Sequence, residues 1–197
     1  NPQEMPLAGY VEALERQVVP QDKDWFAYQL SEPASQRTVA ATMSARTGLD
    51  WDPDDVAMTN GGFAALAVAL RTLVEPGDEV VFVSPPWFFY EILVLMAGGE
   101  PVRVKLEPPT FDLDVDRIAA AITPRTRVVL INSPHNPTGR IFSEAALASL
   151  AEAVTDASER IGHPIWILSD EPYNRIVFDG RTAPSPAAIY PHTVVTY

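Results

Sequence analysis

Residues 127–139, RVVLINSPHNPTG, decide the fold: a short apolar strand empties there into a loop of turn residues. Val128, Val129, Leu130 and Ile131 form an unbroken β-branched or aliphatic run. Thr126 and Arg127 bound it on one side, and Asn132, Ser133 and Pro134 on the other. Such a run reads as a buried strand. Pro134 and Pro137 each fix their own φ and push Ser133 and Asn136 toward extended backbone, while Gly139 admits a conformation that other residues avoid. The loop therefore presents the amide of Asn136 in a rigid frame at the carboxyl end of a strand. In open α/β sheets that end is where ligands bind.

A second transition of the same shape lies at residues 165–173, where apolar IWIL gives way to polar SDEPY. If the two strands are parallel neighbours, Asn136, Asp170 and Tyr173 converge on one crevice. Taken singly, Asp170 reads as a cap of the following turn and Asn136 as one more turn residue; taken together they read as a site.

Working outward, Leu7, Val11, Leu14 and Val18 recur at helical spacing, an amphipathic helix over 7–19 closed by Pro20. Residues 21–31 are polar and aromatic and read as an extended linker. Ser31 or Glu32, with Pro33 in the first turn, starts a helix to about Thr47 that Gly48 ends. A turn at 52–55 and a short strand at 56–59 follow, and Asn60-Gly61-Gly62 opens a helix over 63–74. Pro76-Gly77-Asp78 turns the chain into a strand at 79–84. Residues 87–97 are apolar nearly all round, which predicts a helix packed on several sides and stopped by Gly98-Gly99. A strand at 102–106, a helix at 114–122, the deciding strand, a helix from 143 to about 160 and a strand at 165–169 complete an alternating order. That order implies an α/β three-layer sandwich, a mostly parallel sheet with helices on both faces. The chain opens at Asn1 and closes at Tyr197 inside a strand-like run, TVVTY; both ends are expected to be cut from something longer.

A chain of 197 residues buries a substantial core, and one large α/β domain is expected rather than two small ones. The net charge of −12, with only 14 Lys and Arg in no basic cluster, argues against a nucleic-acid partner. With no cysteine there are no disulfides, which is compatible with a reducing cytoplasm. His135, His163 and His192 are too scattered for a metal site. No segment reaches the roughly 18–20 apolar residues a membrane span needs, and no signal peptide is recognisable.

Two further pieces belong to the crevice. Thr59-Asn60-Gly61-Gly62-Phe63 joins a strand to a helix start, where glycines let backbone N–H groups approach an anion and the helix dipole favours a phosphate. A double glycine there also reads as a plain tight turn. It is neither a Walker loop nor a GxGxxG fingerprint, so a single phosphate is the expected ligand. Trp87, after Pro85-Pro86, offers either core packing or a flat face for a planar heteroaromatic ring.

TNGGFAAL, SPPW, NSPHNPTG and SDEPY, in this order and at these separations, resemble the pyridoxal-phosphate-dependent aminotransferases of fold type I, the aspartate aminotransferase superfamily. The resemblance covers nearly all of the chain and assigns it to an incomplete large domain. It implies pyridoxal 5'-phosphate as cofactor, with Asp170 against the pyridine nitrogen and Asn136 and Tyr173 on the phenolic oxygen. It also implies Trp87 stacked on the ring and the Gly61-Gly62-Phe63 turn on the phosphate. The family often carries a polar side chain where Phe63 stands, so that contact is through the backbone. Residues 1–24 would belong to the small domain or arm, and 25–197 to the cofactor-binding domain.

The family's Schiff-base lysine lies a few residues beyond the strand that matches 193–197. Lys23 and Lys105 are the only lysines, and neither follows a suitable strand. Two arginines of the family, one for the phosphate and one for the substrate carboxylate, also fall outside the match. Asn1-Pro2 resembles the family's G-x-P opening. Tyr28, ahead of residues 32–37, is the nearest match to a tyrosine that reaches the partner subunit's phosphate, with its spacing off by about one residue. The expected reaction moves an amino group from an amino acid to a 2-oxo acid in a cytoplasmic homodimer. A carbon–sulfur β-lyase or decarboxylase of the same fold, or a non-catalytic sensor domain, are the alternatives.

Overall fold

The apolar run 128–131 is the middle of the central strand in a computed structural model, which describes residues 4–28 and 31–197. The match at Asn1-Pro2 lies outside the described residues. Five strands form one sheet: β1 (Glu79–Ser84), β2 (Glu100–Lys105), β3 (Thr126–Asn132), β4 (Trp166–Asp170) and β5 (Thr193–Thr196). Their order is β2-β1-β3-β4-β5, and every neighbouring pair is parallel. The expected mostly parallel sheet is thus wholly parallel among the described residues. Six α-helices accompany it: α1 (Ala8–Val18), α2 (Pro33–Thr47), α3 (Gly62–Leu73), α4 (Tyr90–Met96), α5 (Val115–Ala121) and α6 (Glu144–Ile161).

Side chains alternate across each strand, so the apolar runs supply two cores at once. On one face Val81, Val83, Val129, Ile131 and Ile167 pack with Ile118 of α5 and Leu147, Leu150 and Val154 of α6. On the other, Val80, Phe82, Val128, Leu130 and Leu168 pack with Leu66 and Leu70 of α3 and Leu93 and Val94 of α4. These are the three layers expected from the alternating element order.

Local chemistry sets the helix ends. The Glu32 carboxylate accepts from the N–H groups of Ala34 and Ser35, at 3.1 and 2.6 Å, and Gly48 closes α2 in the left-handed region at φ 75°. Ser143 caps α6 through the N–H of Ala146, and Gly162, at φ 88°, ends it.

Three expectations need correction. Residues 56–59 are not a strand: the carbonyl of Val56 accepts from the Gln36 side chain at 2.7 Å and the N–H of Met58 donates to Ser31 Oγ at 3.3 Å, so side chains replace a neighbouring strand. Residues 21–27 are not extended but turn, because the Asp22 carboxylate accepts from the N–H of Asp24 and the carbonyls of Asp22 and Asp24 accept from Trp25 and Ala27. The apolar segment 87–97 begins its helix only at Tyr90, since residues 87–89 after the proline pair form a turn that closes through Tyr90 N–H to Trp87 O. The amphipathic helix expected over 7–19 is α1, and none of its residues is buried within the described structure.

Leu150 lies in α6 with no exposed surface. Leu150→Ala is expected to cost about 2–5 kcal/mol, the range for emptying a close-packed core position, read as a drop in the urea midpoint with an unchanged slope.

Candidate active site at the carboxyl ends of the strands

The strand order reverses between β1 and β3, since β2 lies on one side of β1 while β3, β4 and β5 follow on the other. A parallel sheet leaves a crevice at such a switch point, because the loops leaving the two strands diverge. The loops after β1, β3 and β4 and the first turn of α3 open there on a cavity of about 240 Å³. Gly62, Phe63, Trp87, Asn136, Asp170 and Tyr173, all singled out from the sequence, line it. Gly61 stands just outside as the residue preceding α3, at φ 84°, a conformation that favours glycine.

Asp170 ends β4 and is only 5% exposed. Its Oδ2 accepts from the Tyr90 hydroxyl at 2.5 Å, and its Oδ1 from Thr196 Oγ1 at 3.2 Å. Burial pushes the carboxyl pKa up; the hydrogen bonds from Tyr90 and then Thr196 pull it down, and the neighbouring Glu171 charge adds to the rise. The Tyr90 phenol is pushed well above its usual range, first by burial and then by the Asp170 charge, so it stays protonated as a donor.

Asn136 Nδ2 donates to the Tyr173 hydroxyl at 3.3 Å, which pairs the amide and phenol on one side of the cavity. Asn132 holds them in reach of the acid. Its Nδ2 donates to the Asp170 carbonyl at 2.7 Å and its Oδ1 accepts the N–H of Asn136 at 2.6 Å. The Ser133-Pro134 and Asn136-Pro137 peptides are both cis, and Gly139 sits at φ 72°. His135 anchors the loop: its Nδ1 lies 2.7 Å from Thr138 Oγ1, and its ring packs 5.9 Å from that of Phe142. Burial lowers its pKa to about 4, so it is neutral near pH 7.

The Trp87 ring is fixed by edge contacts to Phe63, Phe89 and Tyr90, with centroids 5.9, 5.1 and 5.4 Å away. Helix α3 has no side-chain cap, so its first-turn N–H groups carry no competing side-chain acceptor. Neither lysine lines the cavity: Lys23 is exposed beside Asp24, and Lys105 ends the edge strand β2 near Glu107. Among the described residues no three His, Asp or Glu side chains cluster as metal ligands.

Sequence reading missed Tyr90, Asn132 and Thr196. Tyr90 lies three residues after Trp87 and could have been placed beside it once a turn was recognised there. Asn132 carried a subtler signal, since it and Asp170 both close their strands and face each other in the parallel register.

Tyr90→Phe removes a close donor from a buried charge and is expected to cost about 1.5–3 kcal/mol at neutral pH. An acid whose folded pKa lies above its unfolded value contributes stability that is full below the unfolded value and is lost as pH rises through the folded one. Without Tyr90 the folded value of Asp170 rises further. The gap in urea midpoint between parent and variant should therefore open as pH climbs above about 3.9. A gap independent of pH would contradict the charged contact.

For His135 the sign is opposite. Its folded pKa of about 4 lies below the usual imidazole value of 6.5, so its stabilising effect is full above the latter and is lost as pH falls through that window. His135→Gln should flatten this segment of the stability–pH curve.

The model of the family described as aminotransferase class I and II matches residues 4–197. A probable aspartate/prephenate aminotransferase of Thermus aquaticus is 34% identical over 188 residues, which cover 95% of this chain and 47% of that protein. A probable N-succinyldiaminopimelate aminotransferase of Mycobacterium tuberculosis is 42% identical over 147 residues, 73% of this chain and 36% of that protein. The crystal structure of an amino transferase from Eubacterium rectale superposes with a TM-score of 0.89 at 30% identity, covering 94% of this chain and 48% of that one. The structure of the Mycobacterium tuberculosis N-succinyldiaminopimelate aminotransferase gives 0.86 at 33% identity, covering 98% and 50%. The chain spans about half the length of these structures and less than half of the two sequence relatives. With a family match running from residue 4 to residue 197 and the same sheet in solved relatives, the chain belongs to the class I and II aminotransferases.

Proposed function

We propose that this chain is the cofactor-binding portion of a pyridoxal-phosphate-dependent aminotransferase that moves an amino group from an amino acid to a 2-oxo acid. The observation that carries the reading is the convergence on one cavity of a buried carboxylate, an amide–phenol pair and an uncapped helix start. These donors and acceptors suit the cofactor's chemistry. Asp170 is buried among neutral donors with its pKa raised, and a cationic ring nitrogen would supply the charge partner it lacks. Asn136 and Tyr173 would hold the phenolic oxygen, the Trp87 ring would limit the cavity on one face, and the N–H groups of Gly62 and Phe63, next to Gly61, would take the phosphate.

When bound, pyridoxal phosphate supplies a ring that accepts the electron pair released at the substrate carbon. The task of Asp170 is to keep the ring nitrogen protonated, and that of Tyr90 and Thr196 is to keep Asp170 ionised and oriented. The lysine that reacts with the cofactor would come from outside the 197 residues, since neither Lys23 nor Lys105 lines the cavity. Residues 25–197 would form the large domain and 1–24 the arm or small-domain segment. The protein would act as a cytoplasmic homodimer; exposed Val68 on α3 and Ile92, Leu95 and Met96 on α4 offer apolar surface for a second copy. Among the described residues no helix is long and apolar enough to cross a membrane.

The test is product analysis on the full-length protein supplied with pyridoxal phosphate, an amino acid and a 2-oxo acid. Equal amounts of new amino acid and new oxo acid are expected, and Asp170→Asn should lower kcat by about 10²–10³-fold, the scale of losing one aimed electrostatic group. Pyruvate, ammonia and a thiol from a cysteine-like substrate would make it a lyase instead. Light scattering should give twice the chain mass.

A further inference from the structure

Directly after Asp170 stands a second carboxylate, Glu171, buried even more deeply at 1% exposure. It does not line the cavity. Its Oε1 accepts from Ser169 Oγ at 2.8 Å and Ser185 Oγ at 2.7 Å, and its Oε2 accepts from Arg46 Nη1 at 2.5 Å. Arg46 reaches it from the last turn of α2, 125 residues earlier in the chain, with its other terminal nitrogen 3.2 Å from Met43 Sδ. The backbone N–H of Glu171 donates to the carbonyl of Thr196, the residue whose hydroxyl holds Asp170.

The Glu171 charge, next in sequence and buried, favours protonation of Asp170. The groups that face Asp170 are Tyr90 on α4, Thr196 on β5, Tyr173 and Tyr197 across the cavity, and Glu171 on its own chain. None of these is a cation. The nearest compensating charge in this set of contacts is one step removed, on Arg46.

We propose that Arg46 is a positioning residue for the site: by pairing with Glu171 it neutralises the second negative charge beside Asp170 and so leaves the Asp170 carboxylate ionised toward the cavity. The inference rests on the reading of Asp170 as the acid that faces the cofactor's ring nitrogen. An ion pair that merely ties α2 to the end of β4 would stabilise the fold without moving Asp170's titration in opposite directions when either partner is changed.

The experiment follows the Asp170 carboxyl by ¹³C NMR in full-length protein freed of cofactor, with the signal assigned by its loss in Asp170→Asn. Arg46→Met should raise the apparent pKa of Asp170 by about one unit, a tenfold change in proton affinity. Glu171→Gln should lower it, and the double variant should bring it back to or below the parent value. Affinity for pyridoxal phosphate, measured in parallel by fluorescence quenching, should fall about tenfold in Arg46→Met and recover in the double variant. Should Arg46→Met not fold, Glu171→Gln alone decides, with Arg46→Lys expected to stay near the parent. A titration that Glu171→Gln leaves unmoved or shifts upward overturns the proposal, as does an unmoved titration in a folded Arg46→Met. A parent protein without affinity for pyridoxal phosphate counts against the cofactor reading, while the titration still decides the role of Arg46.

Discussion

The site depends on one buried side chain, that of Asn132. Parallel pairing sets it directly opposite Asp170 at the ends of β3 and β4, where its amide spans from the Asp170 carbonyl to the N–H of Asn136. A single 1%-exposed residue thus ties the strand that carries the acid to the loop that carries the amide. Its polar atoms are satisfied by backbone, so the crossing of the two chains is specified rather than merely permitted. A slip of one residue in this register would turn Asp170 away from the cavity and bring its apolar neighbours to the wrong core.

The two adjacent acids show how environment divides identical chemistry. Glu171 has three side-chain donors, one of them a guanidinium that balances its charge. Asp170 has two hydroxyl donors and no cation, and burial holds its pKa up. An acid left in that condition contributes poorly to stability and strongly to binding a positively charged group, the tension usual for a functional site. Tyr90 is suited to moderate it: burial keeps its phenol protonated, so it donates without adding a charge of its own.

The alternation of strands and helices, the parallel sheet and most element ends were legible because they rest on local rules: Gly48 after α2, Ser143 before α6, β-branched runs in β1 and β3. The failures share a cause. Residues 56–59 have strand-like character but no strand beside them, and side chains from Ser31 and Gln36 take up their backbone groups instead; pairing is a tertiary fact that a short window does not carry. Six of the cavity residues were legible because their motifs are contiguous. Tyr90 and Thr196 reach Asp170 from positions 80 residues before and 26 after it, and only the folded sheet brings them there.

The precision of the site follows from where its parts are mounted. Asp170 and Asn132 are the last residues of buried strands, Tyr90 is the first residue of α4, and Gly62 opens α3. One turn beyond Gly62, Leu66 is buried in the core beneath β1, β3 and β4, so the helix start that faces the cavity is held by the same packing that holds the sheet. Asn136 and Tyr173 stand on loops, as does Trp87, whose ring Phe63, Phe89 and Tyr90 hold. The first is locked by two prolines and by Asn132, and the second is held to the first at 3.3 Å. A ligand entering here meets groups already oriented before it arrives, which spares the ordering cost that a flexible site would incur. The cavity floor and the hydrophobic core are therefore one structure, and substitutions in α3 or β3 that loosen packing should be felt at the site before the fold is lost.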